Sequence, residues 1–360
     1  MRAKPEVVMN GRFLVHRITG VQRYAREIAA RLGSTVDVIA PKEAKGLMGH
    51  LWEQTALPAA CRGRLLWSPC GTGPALYSRQ VVTFHDLFPL EHPEWYSRAY
   101  AKWYKVLLQQ IARQSLHVIA VSEYTKSRIV KILGRNPADI TVIHNGLTSG
   151  CRRVSQDLAA AAGRDLNLPS RRYILSLSSL ESRKNLRTVL EAWIQVLPHL
   201  PPDIWLVLAG PKADEAVYSK QALPANLPRV FFTGYVPENH LAGLYTGASL
   251  FVFPSLAEGF GFPLLEAMAC GLRCITSNTS SLPEVGGDVV RYISPLDAIG
   301  LAHGIREELR TSAGSSPFYP AMERAKRFTW ETSASKTLEV LEGASCLQPS
   351  IRTIESSPAI

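Results

Sequence analysis

Glu258 and Glu266, separated by seven residues, frame the stretch of this chain richest in chemistry: Glu258-Gly259-Phe260-Gly261-Phe262-Pro263-Leu264-Leu265-Glu266. Gly259 and Gly261 allow backbone to approach a ligand closely, and Pro263 suits a first helical turn, where its missing N–H would have had no partner. Free amides and the positive end of a helix would then face the ligand, which is a setting for phosphate. A second group, Arg183-Lys184-Asn185, offers cations that could neutralise such a phosphate; taken alone it also fits a solvated basic turn before a helix. A third, His85-Asp86, closes the apolar run Val81 to Phe84, and a histidine there is either a ligand-facing group or a satisfied structural one. No Asp-x-Asp metal motif of the usual sort accompanies them, so charge developing on a phosphate falls to fixed cations.

Short apolar, β-branched runs alternate with longer amphipathic stretches, the pattern of parallel strands joined by helices. Strands are expected at Val7 to Met9, Val36 to Ala40, Leu65 to Trp67, Val81 to Phe84, Val118 to Val121 and Thr141 to His144, with helices from Gly20 to Leu32 and from Ser97 to Ser115. Ser122 reads as the N-cap of another helix. Residues 148 to about 170, polar and alanine-rich, read as an interdomain linker. The pattern then restarts, with five strands expected at Tyr173 to Ser178, Trp205 to Ala209, Val230 to Thr233, Leu250 to Pro254 and Arg273 to Thr276. The expected organisation is an α/β chain of two doubly wound units: residues 1–165, residues 166–330, a C-terminal helix over 331–347 packing back toward the first unit, and a loose tail over 348–360. Both groups of charges, and the His-Asp pair, then fall at carboxyl ends of strands, where such folds bind ligands.

On this stretch the chain resembles glycosyltransferase family 4, retaining enzymes with the two-Rossmann GT-B fold; within it the residues are similar to those of bacterial mannosyltransferases of polysaccharide assembly. The resemblance implies that Glu258 lies beside the transferred sugar, that Glu266 accepts hydrogen bonds from the nucleotide ribose, and that Gly259, Phe260, Gly261 and Phe262 line the donor site. It places Lys184 against the diphosphate. The family arginine position is taken by Ser179, and Arg183 is the substitute. His85 is expected to hold the donor sugar, Gly20 to border the diphosphate, Gly210 to line the nucleotide and Gly234 to lie near the base. The implied activity is hexosyl transfer, with mannose from GDP-mannose as first choice, to a glycan or lipid-linked glycan, with no cofactor and no essential metal. A UDP-sugar-dependent transferase, or a noncatalytic sugar-nucleotide-binding subunit, is the alternative.

With 360 residues, 46% hydrophobic and 19% charged, and a mean hydropathy of zero, the composition is that of a globular protein with room for two cores. The net charge of +10 favours an anionic partner. The basic residues are spread out, without zinc-finger or arginine-rich segments, so nucleic acid is not expected. The six cysteines form no CxxC pair, which suits a reducing compartment. With no signal-peptide core and no spanning run, a cytoplasmic location is expected, peripheral at most on the inner face of an anionic membrane. Arg98, Lys102 and Lys105, interleaved with Tyr100, Trp103 and Tyr104, suit such a surface, or equally a solvated basic face over an aromatic core face.

Overall fold

The computed structural model describes residues 6–16, 18–42, 46–148, 150–177, 181–210, 227–311 and 317–347. Expectations at residues 1–5, at Ser178 to Leu180 with the substituted position Ser179, at Pro211, and over the tail from residue 348 lie outside them.

Two six-stranded, wholly parallel sheets organise the chain. The first has strands β1 (Val7–Asn10), β2 (Val36–Ile39), β3 (Leu65–Ser68), β4 (Gln80–Phe84), β5 (His117–Ala120) and β6 (Ile140–Val142), in the spatial order β2-β1-β3-β4-β5-β6. The second has β7 (Arg172–Leu177), β8 (Ile204–Ala209), β9 (Val230–Gly234), β10 (Leu250–Phe253), β11 (Cys274–Ser277) and β12 (Arg291–Ile293), in the order β12-β11-β10-β7-β8-β9. Central strands such as Leu65–Ser68 and Leu250–Phe253 are buried along their whole length, because helices cover both faces of a parallel sheet. The chain reverses direction across the second sheet between β7 and β10, and the loops leaving those two strands carry Arg183-Lys184 and Glu258.

Helix Gly20–Leu32 forms where its spacing predicts. Tyr24, Ala25, Ile28 and Leu32 point inward at helical intervals, and Thr19 and Gln22 close a capping box at its start. Helix Trp330–Ser345 packs on it: Trp330, Ala334 and Leu341 share a core with Met9, Tyr24 and Ile28 of the first unit. Gly146 makes that crossing possible, since a Cβ there would fall 2.4 Å from the Trp330 amide nitrogen.

Two expectations need correction. The stretch read as a linker contains helix Gln156–Asp165, which lies against helix Glu238–Gly247 of the second unit. Its alanines are packing residues: Gly243 lets the helices close, and a Cβ there would sit 2.6 Å from Ala162 Cβ. The second sheet also has a strand beyond the five expected, β12, whose three residues Arg291-Tyr292-Ile293 at the sheet edge are too few to show a period.

Candidate active site

A cavity of about 620 Å³ opens between the two units at the carboxyl ends of their strands. Glu258, Gly259, Phe260, Gly261, Phe262, Glu266, Arg183, Lys184, His85, Gly20 and Gly210 all line it. Gly234 does not; Tyr235 and Val236 take the wall, and the Gly234 carbonyl lies behind, accepting from the Gly210 amide at 3.0 Å.

The Arg-Lys turn is held by Asn185. Its backbone is left-handed, at φ 56°, a conformation asparagine tolerates better than most residues. Its side-chain amide donates to the carbonyls of Pro254, at 2.9 Å, and Pro295, at 2.5 Å. The Leu256 amide donates to the Arg183 carbonyl at 2.8 Å, so the loops after β7 and β10 are stitched into one support.

On that support Glu258 is a hub. Its Oε1 accepts from Lys184 Nζ at 2.7 Å and from Ser255 Oγ at 2.8 Å, and its Oε2 accepts from Arg183 Nη1 at 2.8 Å. Burial alone would raise its pKa, but Arg183 and Lys184 outweigh burial and hold it down at about 2, so the carboxylate stays ionised. Lys184 is shifted downward, because burial and the neighbouring Arg183 outweigh the attraction of Glu258 and Glu181. The two shifts therefore differ in what they say of the pair, and its net stabilisation is smaller than the Glu258 shift alone suggests. Arg183 also binds Glu181, at 2.7 Å.

Glu266 stands on the inward face of helix Phe262–Ala269, which begins after Gly261, left-handed at φ 106°. Its Oε1 accepts from Thr148 Oγ1 at 2.5 Å and Arg23 Nη1 at 3.2 Å, and its Oε2 from Tyr245 at 3.0 Å. Arg23, on the first unit's leading helix, also pairs with Glu238 at 2.5 Å. The sequence pattern did not single out Arg23, Tyr245, Thr148 or Ser255. They are common residue types on ordinary helices and loops; Ser255 reaches Glu258 from three residues away, whereas Arg23, Thr148 and Tyr245 meet Glu266 only through tertiary packing.

His85 Nε2 lies 2.8 Å from the Pro69 carbonyl, so that nitrogen carries the proton. Burial pushes its imidazole down to about 4, only partly offset by that carbonyl, so the ring is neutral near pH 7. The second unit touches this strand end directly: a Cβ on Gly259 would fall 1.9 Å from the His85 carbonyl oxygen. Ser122 Oγ donates to the Gly259 carbonyl at 2.7 Å across the same seam. Gly20 sits against the Phe262 ring, with a Cβ position 3.1 Å from it.

Paired doubly wound sheets with a polar cleft between their carboxyl ends define a GT-B glycosyltransferase architecture. Comparison agrees. The family Glycosyl transferases group 1 matches residues 164–315, and Glycosyltransferase Family 4 matches residues 61–149. The O-antigen chain mannosyltransferase B of Escherichia coli is 29% identical over 277 residues, covering 74% of this chain and 72% of that protein. The serotype-specific mannosyltransferase WbdA of Escherichia coli is 29% identical over 276 residues, and the match spans 72% of this chain but only 33% of that longer protein. The solved sucrose-phosphate synthase of Thermosynechococcus elongatus superposes with a TM-score of 0.73 at 20% identity, over 95% of this chain and 99% of that one. Glycosyltransferase sequence thus runs through both units, and the chain is an enzyme of the hexosyltransferase class.

Proposed function

We propose that the enzyme transfers mannose from GDP-mannose to a hydroxyl of a glycan or lipid-linked glycan, with retention of anomeric configuration. The observation that carries the reading is the Glu258 hub, in which two cations and a carboxylate meet at the cavity wall, with Glu266 on the helix behind the glycine loop. Arg183 and Lys184, with the helix starting at Phe262, would stabilise the departing diphosphate as the glycosidic bond breaks, lowering the barrier where charge develops. Two fixed cations can fill the place of a divalent ion, so no metal is required. Glu258 orients the sugar and Glu266 takes the ribose hydroxyls. The acceptor hydroxyl attacks from the face the phosphate leaves, and the leaving phosphate oxygen takes its proton; capture of a glycosyl-enzyme adduct would refute this. The choice of mannose rests on the mannosyltransferase relatives.

Peripheral attachment to the inner face of an anionic membrane is part of this reading. Among the described residues no helix is long and apolar enough to cross a bilayer. Leu47, Met48 and Leu51 are exposed on helix Gly46–Gln54, and Trp103 and Val106 on helix Arg98–Gln114, beside exposed Arg98, Lys102 and Lys105. His50 meets the Trp103 ring at 5.6 Å, so the two helices present one surface. Pelleting with phosphatidylglycerol vesicles but not phosphatidylcholine vesicles is expected.

The deciding experiment is the thermal midpoint of the purified protein with UDP, GDP, ADP or dTDP, each with and without EDTA. A ligand of the folded state at a hundredfold excess over its dissociation constant adds about 2.7 kcal/mol. A rise with GDP alone that survives EDTA is expected. A rise with UDP alone would change the donor, and no rise with any nucleotide would overturn the reading.

A further inference from the structure

Five carboxylates line the cavity: Asp86, Glu181, Glu238, Glu258 and Glu266. Four are engaged by cations: Glu181 and Glu258 by Arg183, Glu258 also by Lys184, and Glu238 and Glu266 by Arg23. Among the described residues Asp86 alone of the five has no hydrogen bond to another side chain and no ion pair. Its Oδ1 accepts from the Phe88 amide at 3.2 Å, which fixes the rotamer, and its Oδ2 has no hydrogen-bond partner there. It stands on the first unit at the end of β4, and the Gly259 loop that carries Glu258 is folded directly over it, with the Gly259 Cβ position 3.3 Å from Asp86 Cβ.

We propose that Asp86 accepts a hydrogen bond from a hydroxyl of the acceptor sugar adjacent to the one that attacks, making it the acceptor-orienting carboxylate of the transfer reaction. A partly buried carboxylate oxygen with no donor loses its water when the two units enclose substrate, and a sugar hydroxyl is the donor that restores the bond. The position fits the acceptor rather than the nucleotide: Asp86 belongs to the unit opposite the Arg183-Lys184 turn and lines the cavity directly under the loop that carries Glu258. The charge balance supports it too. Burial pushes Asp86 up to about 6, partly countered by Arg183 and the Phe88 amide and reinforced by Glu258 and by Glu91 on the short helix beside it; Tyr104 and Tyr124 also lie within its field. Such a group is ionised at neutral pH and is a stronger hydrogen-bond acceptor than an ordinary surface carboxylate.

The inference rests on the proposed transferase reading, and its test separates the two. The wild-type enzyme and Asp86→Asn are compared with the nucleotide sugar of whichever base raises the thermal midpoint, using octyl α-mannoside as acceptor probe and, separately, water as acceptor in its absence. The hydrogen bond to a charged group predicts about a 10- to 100-fold loss of transfer efficiency toward octyl mannoside. The acid limb of the pH profile near pH 6 should flatten, while donor hydrolysis and the nucleotide-induced thermal shift stay at wild-type values. Asp86→Asn removes a charge that burial disfavours, so its thermal midpoint at pH 7.5 should be no lower than wild type, which excludes misfolding. Equal losses of transfer and hydrolysis would mean that Asp86 holds the donor sugar and would overturn the proposal, as would unchanged kinetics and pH profile. Wild-type protein that binds no nucleotide would instead sink the transferase reading.

Discussion

At the scale of single residues, Glu258 is set apart only by its company: three donors on one buried carboxylate. Glu258→Gln keeps the shape but leaves Lys184 buried without its carboxylate partner and Arg183 with Glu181 alone, a change that costs about 3 kcal/mol when one partner of a buried pair is lost. Turnover should fall by about two orders of magnitude, the range seen when an electrostatic group in a preorganised site is removed. Lys184→Ala should fall similarly in turnover. Steady-state rates alongside circular dichroism check both, and near-normal rates in either would remove Glu258 and Lys184 from the chemistry.

Among elements, the turn Ser182–Lys184 and the strand end at Pro254 behave as one piece because Asn185 bonds both Pro254 and Pro295. Asn185→Ala loses those bonds and puts a residue less tolerant than asparagine into a left-handed conformation, so a destabilisation of about 2 kcal/mol in urea unfolding is expected. Asn185→Gly keeps the backbone freedom and should lose less. If the two variants unfold alike, the backbone conformation contributes nothing. The Gly259 loop is a second such piece, since alanine there would meet the His85 carbonyl of the other unit. Gly259→Ala should force the units apart, which small-angle scattering would read as a larger radius of gyration. Transfer should collapse while the nucleotide-induced thermal shift survives, because the donor groups sit on the second unit; retained transfer would mean that closure at this seam is dispensable.

For the whole molecule, buried titratable groups set an acid limit. His85 and His50 are both pushed down to about 4 by burial, so the unfolded chain takes up protons as pH falls through 6.5 while the folded one does not, and stability is lost between pH 6.5 and 4. Asp86, raised to about 6, acts in the opposite sense over pH 6 to 3.8 and cancels roughly one imidazole. Glu258, held at about 2, adds a loss as pH falls from 4.5 toward 2. Thermal midpoints should therefore decline modestly from pH 6.5 to 4.5 and steeply below. A midpoint constant down to pH 4 would show that these groups are more hydrated than their burial implies.

The strands and the first helix were legible in the sequence because buried parallel strands are apolar along their length and an amphipathic helix repeats its apolar residues; Val81 to Phe84 and Gly20 to Leu32 needed nothing beyond local pattern. The glutamate pair with its glycines was legible for the same reason, since loop, proline and helix start are neighbours in the chain. The Ala-rich helix Gln156–Asp165 was misread as a linker because small residues signal packing only once the partner, with its Gly243, is known. Only the tertiary structure brought Arg183 and Lys184, 75 and 74 residues before Glu258, onto its carboxylate, joined Arg23 to Glu266 across 243 residues, and left Asp86 alone of five carboxylates without a cation bonded to it. Local sequence sets backbone preference and periodicity; which charges share a low-dielectric cleft depends on strand order, which puts β7 beside β10 and so Arg183 and Lys184 beside Glu258, and on how the two sheets face each other, which brings Arg23 to Glu266.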